Sequence, residues 1–229
     1  IFSVMKKEFN IDLNQANYFA GHSLGEYSAL TCANSLPFEE AVCLLYARGK
    51  FMQEAVPSGR GAMLAVLGLK VDEILEQINS ISTNGTCEIA NDNSPGQIVV
   101  SGDKECIQIL HNNLKKKSIR GIILPVSAPF HCFLMESAEK TMSTIIKESI
   151  INDPKPPVIS NVTAKAESKV SIIKDLLVKQ ISSKVRWRES VEYMIKNGVH
   201  EFIEIGPGKV LSGLVKRINK DVKTFNINS

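Results

Sequence analysis

Gly21-His22-Ser23-Leu24-Gly25 fits G-x-S-x-G, and its setting constrains the fold of this 229-residue chain more than any other feature. Asn17-Tyr18-Phe19-Ala20 before it reads as a short buried strand, and a helical stretch runs on from it to about Leu36. A serine at a sharp strand-to-helix turn is the nucleophile elbow of open α/β sheets. The turn is strained and needs neighbours without bulk on either side, while the hydroxyl points off the sheet above a helix N-terminus. The Leu24 N–H then becomes one oxyanion donor. A structural serine in a glycine-rich βα turn fits the same five residues, so the groups around Ser23 have to decide.

The rest of the chain alternates strands with helices. Pro37 opens a helix from Phe38 to about Val56, and Pro57-Ser58-Gly59-Arg60-Gly61 ends it. From 61 to 127 the pattern reads strand Ala62–Leu69, helix Val71–Ile81, strand Cys87–Asn91 and a turn at Asn93-Ser94-Pro95-Gly96. Strand Gln97–Ser101, helix Lys104–Lys117 and strand Gly121–Ser127 follow. That βαββαβ order is ferredoxin-like and predicts a small inserted domain, 60–127. Residues 1–59 and 128–229 form the large domain. Beyond the insertion come a helix at about Phe133–Ser149, a Pro-rich link at 153–157 and a strand Val158–Asn161. Helices near 172–182 and 188–197, a strand Val199–Ile205, a Gly206-Pro207-Gly208 turn and a helix to about Ile218 complete the pattern. The expected class is α/β, an α/β-hydrolase-like parallel sheet carrying a ferredoxin-like insertion.

Composition narrows the function. Twenty-seven Lys+Arg against 24 Asp+Glu leave a formal charge of +3, too even for a protein built to hold phosphate backbones. The longest apolar-plus-glycine run, Gly61 to Leu69, is far short of the ~20 residues a membrane span needs. Five cysteines with no C-x-x-C pair suggest neither disulfides nor zinc, and fit a reducing, cytoplasmic compartment.

A serine nucleophile needs a base, and among His22, His111, His131 and His200 only His131 lies in a loop directly after a buried strand downstream of the elbow. No carboxylate stands out as its orienter: Asp72, Asp92 and Asp103 all fall in the small domain. Arg48 sits mid-stripe on the apolar face made by Ala41, Leu44, Leu45, Phe51, Met52 and Ala55. Such an arginine costs several kcal/mol unless an acid meets it, either an internal Glu or Asp or a substrate carboxylate that its planar fork would grip. Gly206-Pro207-Gly208-Lys209 lacks phosphate-loop spacing and reads as a tight turn. Lys115-Lys116-Lys117 with Arg120 complements a helix dipole, with a docking patch for an acidic partner as the sharper alternative.

With GHSLGEYSAL at 21–30, Arg48, NDNSPGQIVVSG at 91–102, PVSAPFHCFLM at 125–135, LVKQ at 177–180 and EIGPGKVLSGL at 204–214, the chain resembles malonyl-CoA:acyl carrier protein transacylases over essentially its whole length. The resemblance implies Ser23 as nucleophile, His131 as base and Arg48 as clamp on the malonyl carboxylate. It implies substrate contacts for Met52, one turn on from Arg48, and for His22, and a link between Phe130 and choice of malonyl. Gln180 corresponds to the residue whose main-chain carbonyl orients the histidine, which explains the missing acid. The implied partners are a coenzyme A thioester and phosphopantetheinylated acyl carrier protein, with no cofactor, no nucleic acid, no membrane and a monomeric chain; Arg120, close to the small-domain rim, is the candidate contact for the acidic carrier protein.

The resemblance also implies a preceding strand and a glycine- and glutamine-bearing turn that would supply a second oxyanion amide. Nothing in this chain, which opens at Ile1 in a helical pattern, matches them. Two other readings stand beside acyl transfer: a serine esterase or thioesterase, which a carboxylate beside His131 would support, and an impaired carrier-binding remnant.

Overall fold

Gly61–Leu67 (β2) is apolar at every position because it is covered on both faces. Ala62, Leu64 and Val66 face one core with Ile74, Ile107, Leu110 and Leu114, while Met63 packs on the other side with Ala90 and Val99. In this computed structural model, which describes residues 1–228, β2 pairs antiparallel with Gln97–Asp103 (β4) and with Arg120–Ile123 (β5). Cys87–Ser94 (β3) pairs with β4, giving the order β3-β4-β2-β5. Helices Val71–Asn79 (α4) and Lys104–Lys116 (α5) connect these strands. This sheet and its helices lie within 60–127, the span we propose as the small domain.

Among the strand ends that differ from expectation, two bear on how the parts of the chain meet. β5 stops at Ile123 rather than Ser127: Leu124 still donates to Met63 O at 2.9 Å, but Pro125 has no N–H to extend the ladder. β3 runs on to Ser94, through residues expected to turn, with register shifts at Ile89/Asn91 and Asp92/Ser94. Its polar end is buried against the other part of the chain. Asp92 N–H donates to Val185 O, Val185 N–H to Ala90 O, and Asp92 receives Arg188 through Nε at 3.1 Å and Nη2 at 2.8 Å.

Outside 60–127 the strands are short and split into two groups. Phe19–Ala20 (β1) runs parallel to Val158–Ile159 (β6), which pairs antiparallel with Ala166–Glu167 (β7). Glu201–Ile205 (β8) runs parallel to Lys223–Ile227 (β9) as a separate pair. The parallel pairing expected from the alternation is present in β1/β6 and in β8/β9, and β7 adds an antiparallel edge to the first group. β7 and β9 were not expected; both are short, and β9 follows a polar stretch at 219–221 that hides its alternation.

Helices Phe2–Glu8 (α1), Gly25–Cys32 (α2), Phe38–Glu54 (α3), Glu136–Glu148 (α6), Val170–Gln180 (α7), Trp187–Lys196 (α8) and Val210–Ile218 (α9) complete the chain. The main core gathers Tyr27 and Leu30 of α2, Leu44 and Met52 of α3, Met142 and Ile146 of α6, and Leu177 of α7. A second core joins Ile159 to Trp187, Val191, Leu214 and Val215. Among the described residues no helix is long and apolar enough to cross a membrane.

Candidate active site

Ser23 follows β1 with φ of +53°, a strained conformation for a residue with a side chain. Gly21 lets the turn close: a Cβ there would lie 1.9 Å from Gly25 O. A Cβ on Gly25 would meet nothing within 4 Å, so only one of the two motif glycines is sterically required, not both.

The Ser23 hydroxyl lies 2.7 Å from His131 Nε2. His131 also has a positive φ, +59°, and its Nδ1 lies 2.9 Å from the main-chain carbonyl of Gln180 at the end of α7. A carbonyl can only accept, so the proton belongs on Nδ1, and Nε2 is left to accept from Ser23 O–H. Burial first, and the Arg48 charge second, push the imidazole down to about 3, so the ring is neutral at physiological pH, with Nε2 unprotonated and able to accept.

Arg48, on the buried face of α3, donates from Nη2 to Ser23 Oγ at 3.0 Å and to Gln180 Oε1 at 3.0 Å. The Tyr27 ring lies 5.9 Å from its guanidinium carbon. Among the described residues no carboxylate forms a salt bridge with it, and its buried Nε has no partner. Of the two explanations left open by the sequence, an internal ion pair is not what this geometry displays.

Two residues were missed. Glu26, buried in the first turn of α2, accepts at Oε2 from Gln180 Nε2 at 2.7 Å and from Asn161 N–H at 3.1 Å. Burial raises its carboxyl to about 7, against hydrogen bonds from Gln180 and Asn161 and the Arg48 charge. Asn161, just beyond β6, accepts the Ser23 N–H at Oδ1, 2.7 Å, and donates from Nδ2 to Gly21 O at 2.8 Å. Its place at the carboxyl end of a parallel strand, where open α/β sheets put their sites, was the available signal for Asn161. For Glu26 the signal was an acid one helical turn from the elbow serine.

The remaining expected residues are scattered. Leu24 is exposed, and its N–H has no partner among the described residues. His22 Nε2 lies 2.8 Å from Asn93 Oδ1 and its ring packs on Trp187, so it bridges the elbow to β3 instead of joining the Ser23–His131 pair. Met52 is packed in the main core, 2% exposed. Phe130 packs against both the main core and the outer face of the small sheet. Arg120 is exposed on β5, at the edge of that sheet.

A serine hydroxyl held between a neutral histidine and a buried guanidinium, on an elbow of this shape, defines a protein able to take an acyl group onto oxygen. A family model described as an acyl transferase domain matches residues 14–227, and the chain belongs to that family. It is 44% identical over 214 residues to the malonyl CoA-acyl carrier protein transacylase of Bacillus subtilis, covering 93% of this chain and 68% of the relative. A crystal structure of an acyl carrier protein S-malonyltransferase from Vibrio cholerae superimposes with a TM-score of 0.94 at 41% identity, covering 100% of this chain and 74% of that one. A type II PKS acyl-carrier protein in complex with its malonyl-transacylase also matches, at TM-score 0.94 and 38% identity, over 100% of this chain and 72% of that one.

Proposed function

We propose that the chain transfers a malonyl group from malonyl-CoA to the phosphopantetheine thiol of acyl carrier protein, through a malonyl ester on Ser23, in fatty acid biosynthesis. The observation that carries this reading is Arg48: a buried guanidinium beside Ser23 Oγ with no protein carboxylate bonded to it is matched to an acyl group that brings its own carboxylate. An esterase of uncharged acyl groups would bring no anion to pair with that cation. The group that holds His131 is a carbonyl and not the carboxylate that a hydrolase triad would supply.

In the first half-reaction Ser23 Oγ attacks the thioester carbonyl as its proton passes to His131 Nε2. The Leu24 N–H, free of any protein acceptor among the described residues, is the proposed donor to the oxyanion. As the C–S bond breaks, the proton on His131 goes to the departing thiolate of coenzyme A. In the second half the carrier-protein thiol gives its proton to His131 and attacks the ester, and Ser23 leaves with a proton returned. A carbonyl on Nδ1 stabilises the transient imidazolium less than a carboxylate would, which an activated thioester tolerates.

Met52 forms the floor beneath Arg48, Phe130 shapes the acyl side and His22 fixes the elbow from below in this reading. Arg120 is the proposed contact for the acidic carrier protein. The chemistry as drawn uses no cofactor, and the proposed setting is a monomeric chain in the cytoplasm. Intact-protein mass spectrometry after malonyl-CoA tests the reading. A malonyl adduct that Ser23→Ala abolishes is expected. Equal acylation by acetyl-CoA and malonyl-CoA, unaffected by substituting Arg48, would overturn it.

A further inference from the structure

Ser23 and His131 are each held by a group that is itself held elsewhere. Asn161 Oδ1 takes the Ser23 N–H, and the Gln180 carbonyl takes His131 Nδ1–H. Both holders converge on one atom, Glu26 Oε2, through Asn161 N–H at 3.1 Å and Gln180 Nε2 at 2.7 Å. The Gln180 amide is fully engaged: Nε2 also donates to Ser23 O at 3.0 Å, and Oε1 receives Arg48. Glu26 therefore stands where α2, the end of β6 and the end of α7 meet, 3% exposed and out of reach of solvent.

We infer that Glu26 is a positioning residue for acyl transfer: its Oε2 fixes the Gln180 and Asn161 arms, and through them the spacing of Ser23 Oγ, His131 and Arg48. The role rests on hydrogen-bond acceptance at a set reach. It does not rest on negative charge, since neither hydrogen bond requires the carboxylate to be ionised and Arg48 is not bonded to it. Burying an acid is expensive, and a carboxyl kept under a site at that cost is one whose geometry is used. Misplacing the Ser–His pair by ~1 Å from a distance is enough to cost on the order of 10²-fold in rate.

Two substitutions separate reach from charge. Glu26→Gln keeps the chain length and an acceptor oxygen while removing the charge. Glu26→Asp keeps the charge but shortens the side chain by one methylene, so one oxygen can no longer meet both donors. The inference depends on the acyl-transfer reading for its kinetic arm only. In that arm, Glu26→Gln keeps kcat within about threefold, and Glu26→Asp lowers kcat at least tenfold with KM for malonyl-CoA changed less than threefold.

The second arm needs no substrate. The downfield resonance of His131 Nδ1–H, in protein labelled at histidine nitrogen, is expected in wild type and Glu26→Gln and lost or broadened in Glu26→Asp. If wild type takes no acyl group, the functional reading fails and the resonance alone decides for Glu26. A Glu26→Gln loss equal to that of Glu26→Asp, or a Glu26→Asp protein with wild-type kcat and an unchanged resonance, overturns the inference.

Discussion

Arg48 donates a hydrogen bond to the hydroxyl of Ser23 at 3.0 Å. A fixed positive charge against Oγ favours the developing alkoxide, and the same charge is the second cause, after burial, of the depressed His131 pKa. One guanidinium thus acts on nucleophile and base together.

Replacing Arg48 should separate charged from uncharged acyl groups. Arg48→Met keeps the apolar stem and removes the cation, so kcat/KM for malonyl-CoA is expected to fall by about 10²–10³, the scale of a lost buried ionic contact. For acetyl-CoA the loss should stay under about tenfold. Steady-state kinetics with both thioesters gives the ratio, and an equal loss for both would assign Arg48 to Ser23 activation alone.

The two glycines of the elbow should behave differently. Gly21→Ala drives a methyl group into the Gly25 carbonyl, a backbone clash that no side-chain rotation relieves, and should cost more than about 3 kcal/mol or prevent folding. Gly25→Ala enters open space at the first residue of α2 and should change stability by less than about 1 kcal/mol. Thermal unfolding of the pair, followed by circular dichroism, makes the comparison.

Stability should respond to pH in two opposed ways. His131 titrates at about 3 when folded against an ordinary 6.5, so the unfolded chain takes a proton the folded one refuses and stability falls as pH drops below 6.5. Glu26 titrates at about 7 when folded against 4.5, so its contribution is complete below 4.5 and is lost as pH rises through 7. Urea unfolding at about pH 5 and about pH 7.5 should show Glu26→Gln gaining on wild type at the higher pH, by on the order of a few kcal/mol. A wild-type-to-variant difference that is the same at both values would rule this linkage out.

Asp92 is 1% exposed and holds Arg188 by two guanidinium nitrogens. Asp92→Ala should destabilise the chain by about 2–4 kcal/mol, less than a fully buried pair, because Arg188 keeps Glu192 and some water. Asp92→Ala with Arg188→Met together should recover part of the loss. Chemical denaturation of the single and double variants closes that cycle.

What the sequence made legible follows from how local each signal is. The elbow, the βαββαβ run and the Arg48 stripe rest on spacing within a few turns of chain, and the structure has all three. Gln180 was reachable only by resemblance, because a main-chain carbonyl leaves no residue-type signature. Glu26 and Asn161 touch across 135 positions of sequence, and no local pattern announces such a contact. The large-domain strands were harder for a different reason: β1 and β6 are two residues each, and a two-residue strand has no periodicity to read.

The buried polar end of β3 bears on how this molecule can be rebuilt. Asn93 meets His22, Asp92 meets Arg188, and the main chain of 90–92 is laced to Val185. A chimera that exchanges residues 60–127 for a cousin's segment would leave two side-chain partners behind unless positions 22 and 188 travel with it, while the main-chain bonds to Val185 require only that the strand keep its course. The portable module is thus larger than the stretch between its two crossing points, and recombination at those points alone should yield proteins that fold in halves and fail at the seam.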